Sequence, residues 1–524
     1  MRRPVRFLVL AAGLAALSPL ASAYYYFTYF AGRTGPFVPV PLKFASNTVT
    51  YVISSDGPTP LVAGDTFQAV VSQIRAAANV WNGVSTSAVR LVFGGLAPIP
   101  TQDTTPQVDI VFDDDLPPGL LALTKPTTVA NPGDLIANGV TSLPILNSRV
   151  QLRKDFTNAA VPGFPVASYN DTFFLTVVHE LGHALGLQHT WTSSAMSTFY
   201  TSASTKAAPL GPDDVAGISL LYPANGYPAN TGSIAGSVLL GTGGVNLASV
   251  VAISTSGVAI SSMTNPDGTY QINGIPPGSY YVYVHPVPPA APGEGTPGGL
   301  VLPLDPLQNA FAANTGFGSQ FFGGTTDWTQ SPQVSVAPGK VSSNVNFNVQ
   351  ARSGPAISTM TVYGYPNGAK QAVGAPPLPS GTSSYVVFTA SGILGGDKQS
   401  VAPGLNVSII GGPAQLITGT APYPANLNYY QNSYLISLFY ANPIKAVTPV
   451  ALSFTLNGDM YVLPSAFTVV PGGPPSISAV SGTADAQGNL TANIAGSNLN
   501  LNTRIVFDGA PASVEQVNDD GSLT

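Results

Sequence analysis

Apolar residues recur at helical spacing only in the first 222 residues of this 524-residue chain, and from Ser233 onward the sequence is short β-type runs separated by turn signals. A chain patterned this way folds as one mixed α+β unit followed by all-β units. At roughly 150 residues per domain, its length allows three or four of them. A Pro/Asn/Gly stretch at 223–231 marks the change of period. Charged residues are 8% of the chain, against about 25% in an average soluble protein, so Ser, Thr, Asn and Gly must supply the polar surface. Gly (55) and Pro (49) together stay below the roughly 25–30% that marks disorder and suit turn-rich β-structure. The net charge of −6 with no basic cluster excludes nucleic acid as a partner. With no cysteine there is no disulfide framework, no thiolate metal site and no Cys nucleophile.

The N-terminus carries an address. Arg2, Arg3 and Arg6 precede an apolar run from Phe7 to Leu20, and Ala21-Ser22-Ala23 is a small-x-small cleavage pattern. Residues 1–23 are therefore expected to be a signal peptide cleaved after Ala23, giving a secreted protein. The run is shorter than the about 20 residues a bilayer span needs, and no later segment replaces it, so the mature chain is expected to lack a membrane span.

Two helices stand out in the first region. Phe67, Val70, Val71, Ile74, Ala78 and Trp81 fall on one helical face with Asp65 placed to cap it. A second helix starts at Asn170-Asp171, buries Phe174, Val177, Val178, Leu181 and Leu185, and stops at Gly186. Strands are expected at Val49–Ile53, Val89–Phe93, Val108–Phe112 and Arg149–Leu152, with a long polar loop between the last two.

The second helix carries the chemistry. Its end reads His179-Glu180-Leu181-Gly182-His183, followed by Gly186 and His189, and holds three of the four histidines in the chain. Positions i and i+4 share a helix face, so His179 and His183 can aim at one point. Gly186 permits the left-handed turn that brings His189 back as a third ligand. Three nitrogen ligands with one position left for water is the arrangement of catalytic zinc, whereas structural zinc is closed by four protein ligands. Glu180 is placed as general base for the water, and the reaction expected is hydrolysis of a peptide bond.

These residues resemble the HExxHxxGxxH signature of the metzincin metalloproteases. Met196 in Ser193-Ser194-Ala195-Met196-Ser197-Thr198-Phe199-Tyr200 is similar to their Met-turn. Thr190 after the third histidine and the run Leu210–Tyr222 resemble the matrixins within that clan. The resemblance spans about 175 residues, a third of the chain. It implies an α+β domain with a mixed twisted sheet and one catalytic zinc ion held by His179, His183 and His189. It further implies Arg149–Leu152 as the edge strand that pairs with a peptide substrate, and an anchoring role for Asp213 and Asp214 toward the Met-turn. The substrate pocket is expected at Met196–Tyr200, with Thr198 and Tyr200 in its wall. Matrixins usually carry Pro two residues beyond the Met, where this chain has Thr198, which changes that wall.

The same likeness draws further expectations. Residues 113–148 hold no histidine, so no second zinc is expected, and without Cys there is no thiolate latency switch. Asp113, Asp114 and Asp115, with Asp103 upstream, offer the hard oxygen ligands that calcium prefers, though they read first as an acidic solvated turn. His285, alone beside Pro286, reads as structural.

Beyond the boundary, Gly268–Ile272 and Ile275–Tyr280 resemble the carboxypeptidase regulatory-like module, and Ala495–Leu499 with Arg504–Gly509 resembles the immunoglobulin-like IPT/TIG module. The expected division is a protease domain at 24–225, a β-sandwich at 231–350 with a Pro/Gly-rich insertion from Pro286 to about Pro332, an immunoglobulin-like β domain at 354–471, and an IPT/TIG-like module at 474–524, short of the roughly 80–100 residues such modules need. The β-modules are expected to engage a surface, a polysaccharide or a protein. Two functions follow: a secreted zinc metalloendopeptidase acting on proteins or peptides, or an adhesion or scaffold protein whose protease-like domain is inert.

Overall fold

The computed structural model describes residues 25–101, 104–117, 120–160, 165–198, 202–206, 208–290 and 295–354, then 357–365, 373–374, 377–379, 383–393, 402–411, 433–439, 448–470, 475–484, 490–499, 503, 505–507, 510–512, 518 and 522–524. Ala23, Asp103 and Tyr200 lie outside these residues.

Two short strands, β1 (Thr28–Tyr29) and β2 (Val40–Lys43), lie ahead of the first strand expected from the sequence. They are followed by β3 (Thr48–Ser54), α1 (Phe67–Asn82), β4 (Arg90–Ala97), β5 (Val108–Phe112) and β6 (Ala122–Thr127). Then come α2 (Pro132–Ala137), β7 (Leu143–Pro144), β8 (Asn147–Leu152), α3 (Asp171–Ala184) and α4 (Pro212–Leu221). The main sheet runs in the order β4-β3-β5-β8-β6. Its pairs are parallel except β6, which lies antiparallel to β8 with Ala122 opposite Leu152 and Thr127 opposite Asn147.

This arrangement corrects the assignment of the edge. Arg149–Leu152 belongs to an interior strand flanked on both sides, and the edge nearest α3 is β6. The segment Ala122-Leu-Thr-Lys-Pro-Thr127 looked like loop because it has little apolar alternation and contains proline. An edge strand needs only one side of its backbone for the ladder, so it tolerates both.

The buried face of α1 contains Val70, Val71, Ile74, Ala77, Ala78 and Trp81, and each large apolar side chain on it is worth about 1.5–3 kcal/mol. The cap is Thr66, whose hydroxyl accepts the Ala69 amide at 3.1 Å, rather than Asp65. Asp65 instead accepts the Ser168 amide and hydroxyl at 2.6 and 2.7 Å, tying the start of α1 to the approach of α3. Helix α3 is capped as expected by Asn170, which accepts from the Thr172 amide at 2.9 Å. Trp81 joins the two helices by donating its indole N–H to the Val178 carbonyl at 3.0 Å.

The second region begins with β9 (Gly232–Leu240) and continues through β10 (Gly243–Gly244), β11 (Ala248–Ile253), β12 (Ala259–Met263), β13 (Thr269–Ile275) and β14 (Gly278–Pro286). It closes with β15 (Gln320–Phe321), β16 (Val334–Val336), β17 (Val341–Ser342) and β18 (Phe347–Val349). One sheet is β10-β9-β13 with β17 and β18 also on β9; the other is β12-β11-β14-β15 with β16 on β14. Their inner faces enclose Ile234, Val238, Val250, Ile272, Val282 and Phe347. Beyond residue 354 the described elements are all strands. Among the described residues no helix is long and apolar enough to cross a membrane.

Candidate metal centre

Helix α3 delivers His179, Glu180 and His183 from consecutive turns, with ring centroids of the two histidines 4.6 Å apart. The helix then ends abruptly. Gly186 has φ 111, and a Cβ there would stand 2.4 Å from the Leu42 carbonyl oxygen, so only glycine lets the chain reverse this close to β2. The reversal returns His189, whose Nε2 lies 3.2 Å from Nε2 of His179. Two nitrogens on a tetrahedral zinc with bonds of about 2.0–2.1 Å would stand about 3.3–3.4 Å apart. Ligand atoms of the three rings all lie within 4.8 Å of one another, the one such group of histidines and acids among the described residues.

Each imidazole is fixed from behind. Nδ1 of His179 bonds the Ala195 carbonyl at 2.7 Å, Nδ1 of His183 the Leu187 carbonyl at 2.8 Å, and Nδ1 of His189 the Gly298 carbonyl at 3.0 Å. A carbonyl can only accept, so every Nδ1 carries the proton and every Nε2 presents a lone pair to the common centre. Burial, reinforced for His179 and His183 by the neighbouring histidines, holds all three rings well toward neutral, with His179 lowered to about 3. Three lone pairs converging in a water-poor site repel one another unless a cation lies between them. The donor set therefore fits zinc.

Glu180 turns toward the edge strand, where the Thr124 hydroxyl donates to its Oε2 at 2.6 Å. Burial pushes its carboxyl up to about 7, with the Thr124 hydroxyl pulling the other way. Below the helix lies Met196, fully buried. A Cβ on Gly182 would stand 2.3 Å from the Met196 sulfur and 2.9 Å from Trp81, so the missing side chain at 182 is what lets the loop pass under α3.

The acidic pair of α4 holds that loop in place. Asp214 accepts the amides of Ala195 at 2.7 Å, Met196 at 3.0 Å and Gly211 at 2.7 Å. Asp213 accepts the Thr192 hydroxyl at 2.8 Å and, from β12 of the following module, the Ser261 amide and hydroxyl at 2.9 and 2.7 Å. Desolvation raises Asp213 to about 7 and Asp214 to about 6, against these donors. The anchoring expected within the first domain is present, and its extension into the β-sandwich had no local signal in the sequence.

The remaining residues singled out from sequence divide. Thr198 is half-buried just past the Met196 loop. Asp113 accepts the Asp115 amide at 2.9 Å, and Asp114 accepts the amides of Lys154 and Asp155 at 3.0 and 3.2 Å. The carbonyls of Asp114, Pro117 and Leu120 in the same loop are taken by the Arg153 guanidinium at 3.0 Å each. His285 is buried, bonds the Pro286 carbonyl at 2.9 Å and stacks on Tyr283, and burial lowers it to about 4.

Sequence reasoning missed two contributors. Residues Tyr25–Phe30 run beside the returning loop, with the Phe27 amide on the Gly186 carbonyl, the Gln188 amide on the Tyr25 carbonyl and the Phe27 ring 6.1 Å from that of His183. Val301–Leu304 of the insertion lies on the other side of that ribbon: the Phe30 amide bonds the Leu304 carbonyl at 2.9 Å. Together with the end of β6 they line a half-open cavity of about 370 Å³, bordered by Phe27, Tyr29, Pro126, Val129, Val301 and Leu304, among others.

A helix that offers two imidazoles and a carboxylate, a glycine reversal that supplies a third imidazole, and a buried methionine beneath them fit the metzincin zinc-site signature. Residues 43–223, a third of the chain, match the matrixin family model, and the histidine cluster lies within them. No curated protein matches the chain significantly. Among solved structures it has faint likeness to fervidolysin of Fervidobacterium pennivorans, a keratinolytic enzyme related to subtilisin. The identity is 14% and the TM-score 0.14, over 46% of this chain and 29% of that one. A putative carbohydrate-binding protein of Bacteroides uniformis gives 12% identity and a TM-score of 0.14 over 44% of this chain and 98% of that one. The TIE protein of Bacillus anthracis gives 7% and 0.14 over 45% and 49%. At such scores these likenesses carry nothing about fold or activity.

Proposed function

We propose that the chain is a secreted zinc-dependent metalloendopeptidase. The observation that supports this most is the donation of all three histidine Nδ1 protons to backbone carbonyls, which leaves three Nε2 lone pairs aimed at one point. His179, His183 and His189 would hold the ion, which when bound polarises the scissile carbonyl and lowers the pKa of its water from 15.7 toward about 7. The rest is the work of the chain. Glu180, next to His179 on α3 and held by Thr124, takes the proton of the attacking water and returns it to the departing amine. The free edge of β6 offers backbone groups to an extended peptide, and the 370 Å³ cavity at the end of that strand takes an apolar side chain of it. Met196 underlies the ligands, and Thr198 continues the loop toward the pocket wall, with Tyr200 beyond it in the sequence.

In the same reading residues 1–23 are a leader removed after Ala23, so N-terminal sequencing of the exported protein should begin at Tyr24. The modules at 231–350, 354–471 and 474–524 hold the protease on a surface, a polysaccharide or a protein partner. The activity is tested by measuring bound zinc, then cleavage of a quenched-peptide library with and without chelator, alongside Glu180→Ala. Chelator-sensitive cleavage that the substitution abolishes is expected. A zinc-loaded protein that cleaves nothing, or cleaves equally as the mutant, would leave the inert-scaffold reading in its place.

A further inference from the structure

Two of the three imidazoles are oriented by carbonyls within their own domain, from Ala195 and Leu187. His189 is oriented from outside it. Its Nδ1 partner, the Gly298 carbonyl, lies 109 residues further along, on the short 3-10 turn Pro297–Gly299 inside the insertion of the second module.

That turn is built into its seat. Gly298 has φ 62, and a Cβ on it would stand 2.4 Å from Cζ2 of Trp191. Only glycine allows the backbone to lie flat against an indole two residues beyond His189. Trp191 and Leu300 are buried together with Tyr25, Leu247 and Val287 in one apolar cluster that joins both domains. The turn is also held at its far end, where the Tyr25 hydroxyl donates to the Val301 carbonyl at 2.8 Å and the Val301 amide reaches Oε1 of Gln188 at 3.4 Å. Gln188 is the residue before the third histidine, so the insertion meets the segment 188–191 at three residues, Gln188, His189 and Trp191.

We propose that this insertion is a structural part of the metal centre, with the Gly298 carbonyl as the positioning group that keeps His189 in its Nε2-presenting tautomer and orientation. The proposal rests on the metalloprotease reading. It assigns to the β-sandwich a role inside the active site rather than only in localisation, and it implies that a chain cut at the boundary near residue 225 would hold zinc less tightly than the whole protein. Partners that orient a ligating histidine typically contribute 10–100-fold in metal affinity.

The test uses the full chain and zinc alone, in competition with a chromophoric chelator. Gly298→Val should bind zinc 10–100-fold more weakly than wild type and change the visible absorption of the cobalt-substituted site, a readout of ligand geometry that a merely structural role would not move. Gly295→Ala, in the same insertion but with nothing within 4 Å of its added Cβ, should behave as wild type in both. A cooperatively folded Gly298→Val protein with wild-type zinc affinity and cobalt spectrum overturns the proposal. Should that variant not fold, the wild-type protein decides: with zinc bound, the His189 ring N–H should exchange slowly with solvent in histidine nitrogen NMR, and rapid exchange overturns it. A wild-type chain that takes up no zinc instead removes the metalloprotease reading itself.

Discussion

Helix α3 and the insertion turn Pro297–Gly299 serve one cluster of three imidazoles by opposite means, the helix carrying His179 and His183 and the turn bonding His189. The helix works locally: a four-residue repeat, a capping Asn170 and a terminating Gly186 set His179, Glu180 and His183 on its last turns, before Ala195 and Thr124 fix the side chains. The turn works at a distance, contributing one carbonyl whose position depends on the sandwich being folded and docked. Ligand identity is thus written into eleven consecutive residues, and ligand orientation is distributed over two domains. Substitution of Glu180 should act on the chemistry, and substitutions in the insertion on the metal and the substrate.

The largest effect expected is at Glu180. Removing a positioned general base costs on the order of 10²–10⁴ in rate, and since Glu180 is not among the converging nitrogens, Glu180→Ala should keep wild-type zinc content. Loss of metal in that variant would show that the carboxylate belongs to the ligand set, and the division between chemistry in the helix and support elsewhere would fail.

Asp214 tests the support given from within the domain. Asp214→Asn replaces one carboxylate oxygen by an NH₂ group, which then faces either the Ala195 and Gly211 amides or the Met196 amide. An unmatched buried donor costs about 1–3 kcal/mol. Because Ala195 also orients His179, the variant should lower both the unfolding midpoint and zinc affinity. A stability loss with unaltered zinc binding would separate the loop from the ligand it appears beside.

Gly182 should show a smaller effect, since two terms oppose. An Ala Cβ would press on Met196 and Trp81, and overpacking costs about 1–3 kcal/mol. Alanine in a helix interior regains about 1 kcal/mol over glycine. Gly182→Ala should therefore lose up to about 2 kcal/mol in denaturant unfolding; a gain would mean that the Met196 loop yields freely and does not fix the helix.

What was legible in the sequence follows the same division. The metal site could be read because its parts are close in sequence and its residue types are scarce: three of four histidines fall within eleven positions. The faces of α1 and α3 could be read because helical burial has a period. Strand β6 was not legible, because an edge strand need not alternate and tolerates Pro126. The cap of α1 was misread by one residue because Asp65 and Thr66 are both good caps, and only the tertiary pull of Ser168 on Asp65 decides between them. The bonds of Ser261 to Asp213 and of Gly298 to His189 had no local signature at all, since a serine on a strand and a glycine in a Pro/Gly-rich loop are unremarkable until docking places them.

The smallest expected effect is also the one that sharpens the contrast most. Val301 reaches the metal loop through its backbone, by the Tyr25 hydroxyl on its carbonyl and its amide on Gln188, while its half-exposed side chain lines the cavity beside β6. Val301→Glu should leave those backbone bonds, and with them zinc affinity, unchanged. It should lower kcat/KM for peptides with a large apolar side chain at the cavity. A buried methylene in such a pocket is worth about 10–200-fold in discrimination, and a rim position open to water should give less than about tenfold. Cleavage profiling of a peptide library distinguishes the outcomes. A selective loss supports the cavity as a substrate subsite formed by two domains; a uniform loss across all peptides, or a fall in bound zinc, would mean that the insertion acts on the metal alone.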